Sequence, residues 1–212
     1  MRFRDRRQAG ELLGAEVADL QPSQPVVYAL PRGGVPVGYE VAHALGCPLD
    51  VLVVRKVGVP FQPELAMGAI AEGDVTIRNE DVLKLARVDS DTFDSAVAVE
   101  QRELEARVSA YRSVTQPIPP DGHSAIVVDD GLATGSTARA AVEVLKAKGA
   151  ASVWLAVPVA PRDGLEDLEA LADRMVVLSR PGAFGAVGYW YRDFAQTTDE
   201  EVRSLLAEAR LA

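Results

Sequence analysis

The 212-residue chain is poor in the residues that several common chemistries require. Its single cysteine, Cys47, rules out an internal disulfide, and with only His43 and His123 available there is no Cys/His cluster for zinc. Hydrolase triads built on His are equally poorly supplied. No apolar run approaches the roughly 18 residues of a membrane-spanning helix, and the arginine-rich start MRFRDRR is not followed by a signal-peptide apolar stretch. A cytoplasmic protein with no membrane partner is therefore expected. Positive charge is also short, with 22 Lys and Arg against 31 Asp and Glu, a net charge of −9. Phosphate-backbone binding needs a local cation excess, so no nucleic-acid partner is expected. A small anion is a different matter, because backbone amides at a helix start and a few placed cations can hold it whatever the global charge. Neither G-x-x-x-x-G-K-[ST] nor a G-x-G-x-x-G after a strand occurs, which removes nucleotide kinases and dinucleotide dehydrogenases.

What is present is an ordinary globular composition, 48% hydrophobic and 25% charged, on a chain long enough to bury a core. One α/β domain over residues 1–212 is expected. Arg4 to Leu20 reads as an amphipathic helix. Val26 to Leu30 reads as a buried strand feeding Pro31-Arg32-Gly33-Gly34, and a helix from Val35 to Leu45 follows with Gly46 as its cap. Leu49 to Val54 reads as a second buried strand ending on Arg55-Lys56, and Val57 to Pro63 as loop. A hairpin of Leu65 to Ala71 and Val75 to Arg78 precedes a long helix whose buried face is marked by Phe93, Val97, Leu104, Val108 and Tyr111. Then come a strand at Ala125 to Val128, a helix to Lys148, a strand at Ser152 to Val159, a helix at about Arg162 to Ala172 and a strand at Met175 to Leu178. This alternation implies a parallel sheet covered on both faces. A last helix starts at Thr198, with Glu201 three residues on.

The densest chemistry lies in Ala125-Ile126-Val127-Val128-Asp129-Asp130-Gly131-Leu132-Ala133-Thr134-Gly135-Ser136-Thr137. An apolar strand delivers two carboxylates beside a helix start rich in hydroxyls. Carboxylates accept hydrogen bonds from vicinal sugar hydroxyls, while free amides with Thr134, Ser136 and Thr137 can hold a phosphate. Gly135 keeps a side chain away from that anion. In Pro31-Arg32-Gly33-Gly34, adjacent glycines let amides approach an anion and Arg32 offers a planar fork, although the same four residues also suit a plain turn. Arg55-Lys56 either adds charge to the site or is a solvated strand end.

The Ala125 to Thr137 stretch resembles the phosphoribosyl pyrophosphate motif of the type I phosphoribosyltransferases. The resemblance implies a three-layer α/β fold, mostly parallel with one antiparallel strand, in the order 3-2-1-4-5. It also implies a core at about 21–180, an inserted loop and helix at about 57–117, and a C-terminal hood at about 181–212. Asp129 and Asp130 would hold the ribose 2- and 3-hydroxyls, and Ala133 to Thr137 the 5-phosphate. Arg32, Gly33 and Gly34 would form the pyrophosphate loop, with Pro31-Arg32 a candidate cis peptide, and Arg55 and Lys56 would face the same group. Mg²⁺ is the implied cofactor, reached by Asp129 and Asp130 through water. Arg32, Asp130 and Glu64, the last on a mobile lid, are the candidate catalytic residues. Phe184, Trp190 and Tyr191 would form the acceptor hood, unless the aromatic cluster from Phe184 to Phe194 packs in the core or in a homodimer interface. Gly131 departs from the family, which usually carries an aliphatic residue there.

The implied activity is transfer of a phosphoribosyl group to a nitrogenous acceptor with release of pyrophosphate. A non-catalytic sensor of phosphoribosyl pyrophosphate or nucleotide, and a hydrolase of the same ligand, remain open beside it. Ala133 stands where members acting on 6-oxopurines carry an aspartate, so those bases are not expected as acceptors.

Overall fold

In a computed structural model, which describes residues 1–210, the chain enters through helix α1 (Arg6–Asp19). Asp5 caps this helix by accepting the Gln8 amide, and Ala9, Leu13 and Val17 form its buried stripe. Strand β1 (Pro25–Ala29) is followed by helix α2 (Gly34–Leu45), whose left-handed cap falls on Gly46, φ 59°, as the sequence implied.

Strand β2 (Leu49–Val51) is shorter than expected. Leu52 and Val53 stay buried, but at Val54 the chain joins a second sheet as β3 (Val54–Val59). The unbroken apolar run conceals the crossing because it reports burial, not which strand pairs. The expected loop at Val57 to Pro63 is likewise β3, a turn, and the start of β4 (Gln62–Ala71). Gly and Pro are tolerated there because the β3–β4 pairing is irregular on both sides of Gly58 and Pro63 sits at the exposed end of its strand. Strand β5 (Val75–Arg78) completes the predicted hairpin through Gly73 and Asp74, both at positive φ.

A short helix, α3 (Glu80–Ala86), adds to the elements expected from the sequence, and Asn79 caps it. Helix α4 (Ser90–Arg112) buries Phe93, Leu104 and Tyr111, with Val97 and Val108 half-buried beside them. Strand β6 (Ser124–Val128), helix α5 (Ser136–Ala147), strand β7 (Ser152–Val159), helix α6 (Glu166–Leu171) and strand β8 (Arg174–Ser179) keep the expected alternation. A 3-10 turn at Val187–Trp190 leads to helix α7 (Asp199–Ala209), where the Thr198 hydroxyl accepts the Glu201 amide at 3.1 Å. The expected hood, 181–212, ends two residues beyond those described.

The main sheet runs β2-β1-β6-β7-β8 and every pairing in it is parallel. Antiparallel pairing is confined to the small sheet β3-β4-β5, so the antiparallel strand that the resemblance placed in the main sheet lies in a sheet of its own. The α/β class, mostly parallel, stands. Helix α1 packs on α2 on one face of the main sheet, and α5 covers the other along with the small sheet. No helix among the described residues is long and apolar enough to cross a membrane.

Candidate active site

The site follows from one pairing. Strands β1 and β6 are neighbours, with Ala29 opposite Val128 and the Leu30 amide donating to the Val128 carbonyl at 2.8 Å. The Pro31 to Gly34 loop and the Asp129-Asp130 pair therefore leave the sheet side by side at its carboxyl edge, where α/β folds bind ligands. The contact between them is close. A Cβ on Gly33 would overlap the Asp130 carboxylate, and one on Gly34 would lie 2.6 Å from the Val128 carbonyl oxygen. The two glycines are thus required by the acidic strand end itself. The Pro31-Arg32 peptide bond is cis, as the resemblance implied.

The Asp129 carboxylate accepts the Asp130 amide at 2.8 Å, and burial, reinforced by the neighbouring Asp130 charge, pushes it well above the usual carboxylate range. Asp130 is also raised by burial, but the Arg6 guanidinium opposes the shift with an Nε to Oδ2 contact of 2.8 Å. Arg6 lies 3.9 Å from the centroid of the Phe194 ring and donates to the Ala195 carbonyl at 2.7 Å. It links the start of α1, the acidic pair and the C-terminal segment. Nothing in the sequence singles it out, because it is one of four arginines among the first seven residues.

At the start of α5, Gly135, φ 71°, is the cap, and the Thr134 hydroxyl lies 3.0 Å from that of Ser136. Thr134 is exposed on this turn, and the first-turn amides of α5 have no intrahelical acceptors. Arg32 lies across the strand ends, its Nη1 3.8 Å from Asp199 at the start of α7, and Asp199 also accepts the Tyr111 hydroxyl at 2.7 Å.

A cleft of about 470 Å³ opens between Pro31, Thr137, β3 and the β3–β4 hairpin. Arg55 and Lys56 both line it, yet neither is a bare strand end. Arg55 is held by Glu100 and Glu103 of α4 at 2.6 and 2.7 Å, and Lys56 by Glu64 at 3.3 Å. Glu64 sits at the cleft wall with its side chain 87% exposed.

The hood divides. Tyr191 does not present a stacking face, because it is 1% exposed, packed between Phe3 and Phe194, and its hydroxyl donates to the Asp130 carbonyl at 2.6 Å. Dense aromatics signal the segment, but spacing alone cannot tell a ring that faces the cleft from one that locks the segment down. Phe184 and Trp190 stack on each other with centroids 6.5 Å apart and stay half-buried. Gly131 is explained by the same segment: a Cβ there would fall 2.7 Å from a Val187 methyl and 2.9 Å from one of Val159.

A parallel α/β sheet that sets paired acids, a hydroxyl-rich helix start and a glycine loop around one edge defines a phosphoribosyltransferase-type protein. The sequence profile of the phosphoribosyl transferase domain matches residues 6–189, and the chain belongs to that family. Two proteins of Mycobacterium tuberculosis, named "Putative phosphoribosyl transferase MT0597" and "Putative phosphoribosyl transferase Rv0571c", are each 48% identical over 207 residues. The match covers 98% of this chain, which spans about half, 47%, of the length of those relatives. The crystal structure of TT1426 from Thermus thermophilus superposes with a TM-score of 0.93 at 44% identity, covering 98% of this chain and 99% of that one.

Proposed function

We propose that the protein binds phosphoribosyl pyrophosphate and transfers its phosphoribosyl group to a nitrogenous acceptor, releasing pyrophosphate. The observation that carries this reading is the pairing of β1 with β6, which places the Arg32 to Gly34 loop against Asp129-Asp130. Asp129 and Asp130 would accept the ribose hydroxyls, and the Thr134 to Thr137 turn would hold the 5-phosphate. Arg32 and the loop amides would stabilise the leaving group as the C1–O bond breaks and its electron pair passes to pyrophosphate. The acceptor nitrogen forms the new bond to C1 and loses its proton.

No cluster of three or more His, Cys, Asp or Glu able to hold a metal exists among the described residues. The two acids fit a magnesium ion carried by the substrate's own oxygens and reached through water. Such an ion would neutralise charge on the pyrophosphate.

The test incubates the protein, Mg²⁺ and phosphoribosyl pyrophosphate with a panel of bases and follows pyrophosphate release. Base-dependent release is expected. Base-independent release would make the protein a hydrolase, and binding without release a sensor, and either result overturns transfer. A folded Asp129→Asn/Asp130→Asn double variant should lose tight binding in calorimetry, because the ribose hydroxyls then lose the paired carboxyl groups that accept from them. Unchanged affinity would remove the ribose assignment.

Guanine, hypoxanthine and xanthine should be poor acceptors. Ala133 puts a methyl group at the turn where a proton-exchanging carboxylate would be needed, and general acid-base help is worth about 10² to 10⁴ in rate. A kcat/KM of about 10⁴ M⁻¹s⁻¹ or more with any of the three would refute this.

A further inference from the structure

The walls of the cleft contain a cation that no reading of the sequence motifs uses. Arg107 of α4 lines it together with Pro31 of the glycine loop and Thr137 at the start of α5. Its helix is anchored on both sides of it. Leu104 and Tyr111, one turn before and one turn after, are 1% exposed, Arg55 ties Glu100 and Glu103 to β3, and the Tyr111 hydroxyl bonds Asp199. Arg107 therefore projects from a fixed helix face, not from a loose surface.

The two other cations that line the cleft are occupied, Arg55 by two carboxylates and Lys56 by Glu64, while Arg32 in the adjoining loop lies 3.8 Å from Asp199. Among the described residues Arg107 forms no ion pair and no side-chain hydrogen bond. An unpaired guanidinium on the wall of a cleft that the glycine loop also borders is suited to a polyanion, which a planar fork binds through two parallel hydrogen bonds.

We propose that Arg107 is a binding residue for the pyrophosphate moiety, supplied by the inserted helix α4, and that it lets the site discriminate phosphoribosyl pyrophosphate from ribose 5-phosphate. This rests on the function proposed above, because it assigns the pyrophosphate to the same cleft. The discrimination arises because the 5-phosphate is held by the Thr134 to Thr137 turn and the ribose by Asp129 and Asp130, neither of which needs Arg107.

The test is calorimetry of wild type, Arg107→Ala and Arg107→Lys with two probes in the presence of Mg²⁺: inorganic pyrophosphate and ribose 5-phosphate. Arg107→Ala is expected to fold, because the side chain is exposed and has no partner to orphan, and its helical circular dichroism should match wild type. Its pyrophosphate Kd should rise about ten- to hundred-fold, the usual consequence of losing one charge-assisted contact, while its ribose 5-phosphate Kd stays within about two-fold. Arg107→Lys should fall between, since it keeps the charge and loses the fork. If wild type binds pyrophosphate and Arg107→Ala binds it equally well, or loses both ligands in parallel, the assignment of Arg107 is overturned while the proposed function stands. If wild type binds neither probe, the proposed function and this assignment fall together.

Discussion

Gly131 shows at the scale of one residue how a departure from a family pattern acquires a cause. Its φ is not positive, so the need for glycine there is spatial: the Val187 and Val159 side chains fill the volume a Cβ would occupy. Gly131→Ala should therefore destabilise the protein by about 1 to 3 kcal/mol through overpacking, despite the few tenths gained by stiffening the unfolded chain. Urea unfolding would show it, and a more stable variant would contradict the packing account. Arg6 is a second case. Its pair with Asp130 leaves the two side chains 12% and 14% exposed, so Arg6→Met should cost roughly 2 to 3 kcal/mol, below the 3 to 5 of a fully buried pair because both groups keep some contact with water. Arg32→Ala should leave stability nearly unchanged, since its contact to Asp199 is long and solvent-exposed, while weakening pyrophosphate binding more than ribose 5-phosphate binding. Equal losses for the two ligands in calorimetry would move Arg32 to another role.

At the scale of elements, two devices hold the site's supports in place. The first is the cap of α1, the helix that carries Arg6. Hydrogen bonding from the Gln8 amide, then from Arg4, holds the Asp5 carboxyl below its ordinary value. A depressed folded value means that the contribution is present above the unfolded value of about 3.9 and is lost as pH falls through the folded one. Asp5→Ala should cost about 0.5 to 2 kcal/mol at pH 7, and the difference from wild type should shrink below pH 4. A difference constant down to pH 2 would exclude the carboxylate as the cap. The second device is Arg112 at the end of α4. It bonds Asp50, 2% exposed, in β2 at 2.6 Å and Glu72 in the β4–β5 hairpin at 2.6 Å, while Asp50 also accepts the Ile118 amide at 2.9 Å. The cluster ties the small sheet to the main one. Arg112→Met leaves two acids unpaired and should cost about 3 kcal/mol or more in urea unfolding; a loss under about 1 would mean that water already compensates the acids.

At the scale of the whole molecule, the elements legible in the sequence are those whose signal is local. Val128 to Thr137 reads as strand, acids and helix start because the switch from continuous apolar residues to acids and then to small hydroxyl residues occurs within ten positions. Gly46 reads as a cap because a left-handed residue is needed after α2. The β2 to β3 crossing is not legible, since Leu52 and Val53 are as buried between sheets as they would be within one. Nor is α3, whose single buried residue, Leu83, is too little periodicity to detect.

By itself the sequence determined the α/β alternation, the acidic pair with its hydroxyl-rich turn, and the lack of a second cysteine for a disulfide and of a P-loop motif. Those depend on residue types and short spacings that survive any packing. Tertiary structure alone decided which of four N-terminal arginines meets Asp130, that Tyr191 locks the C-terminal segment down, and that Arg55 is spent on α4 while Arg107 faces the cleft unpaired. The three meetings join groups 45 to 124 positions apart in the chain at a few ångströms, and no local pattern encodes such a meeting or its failure.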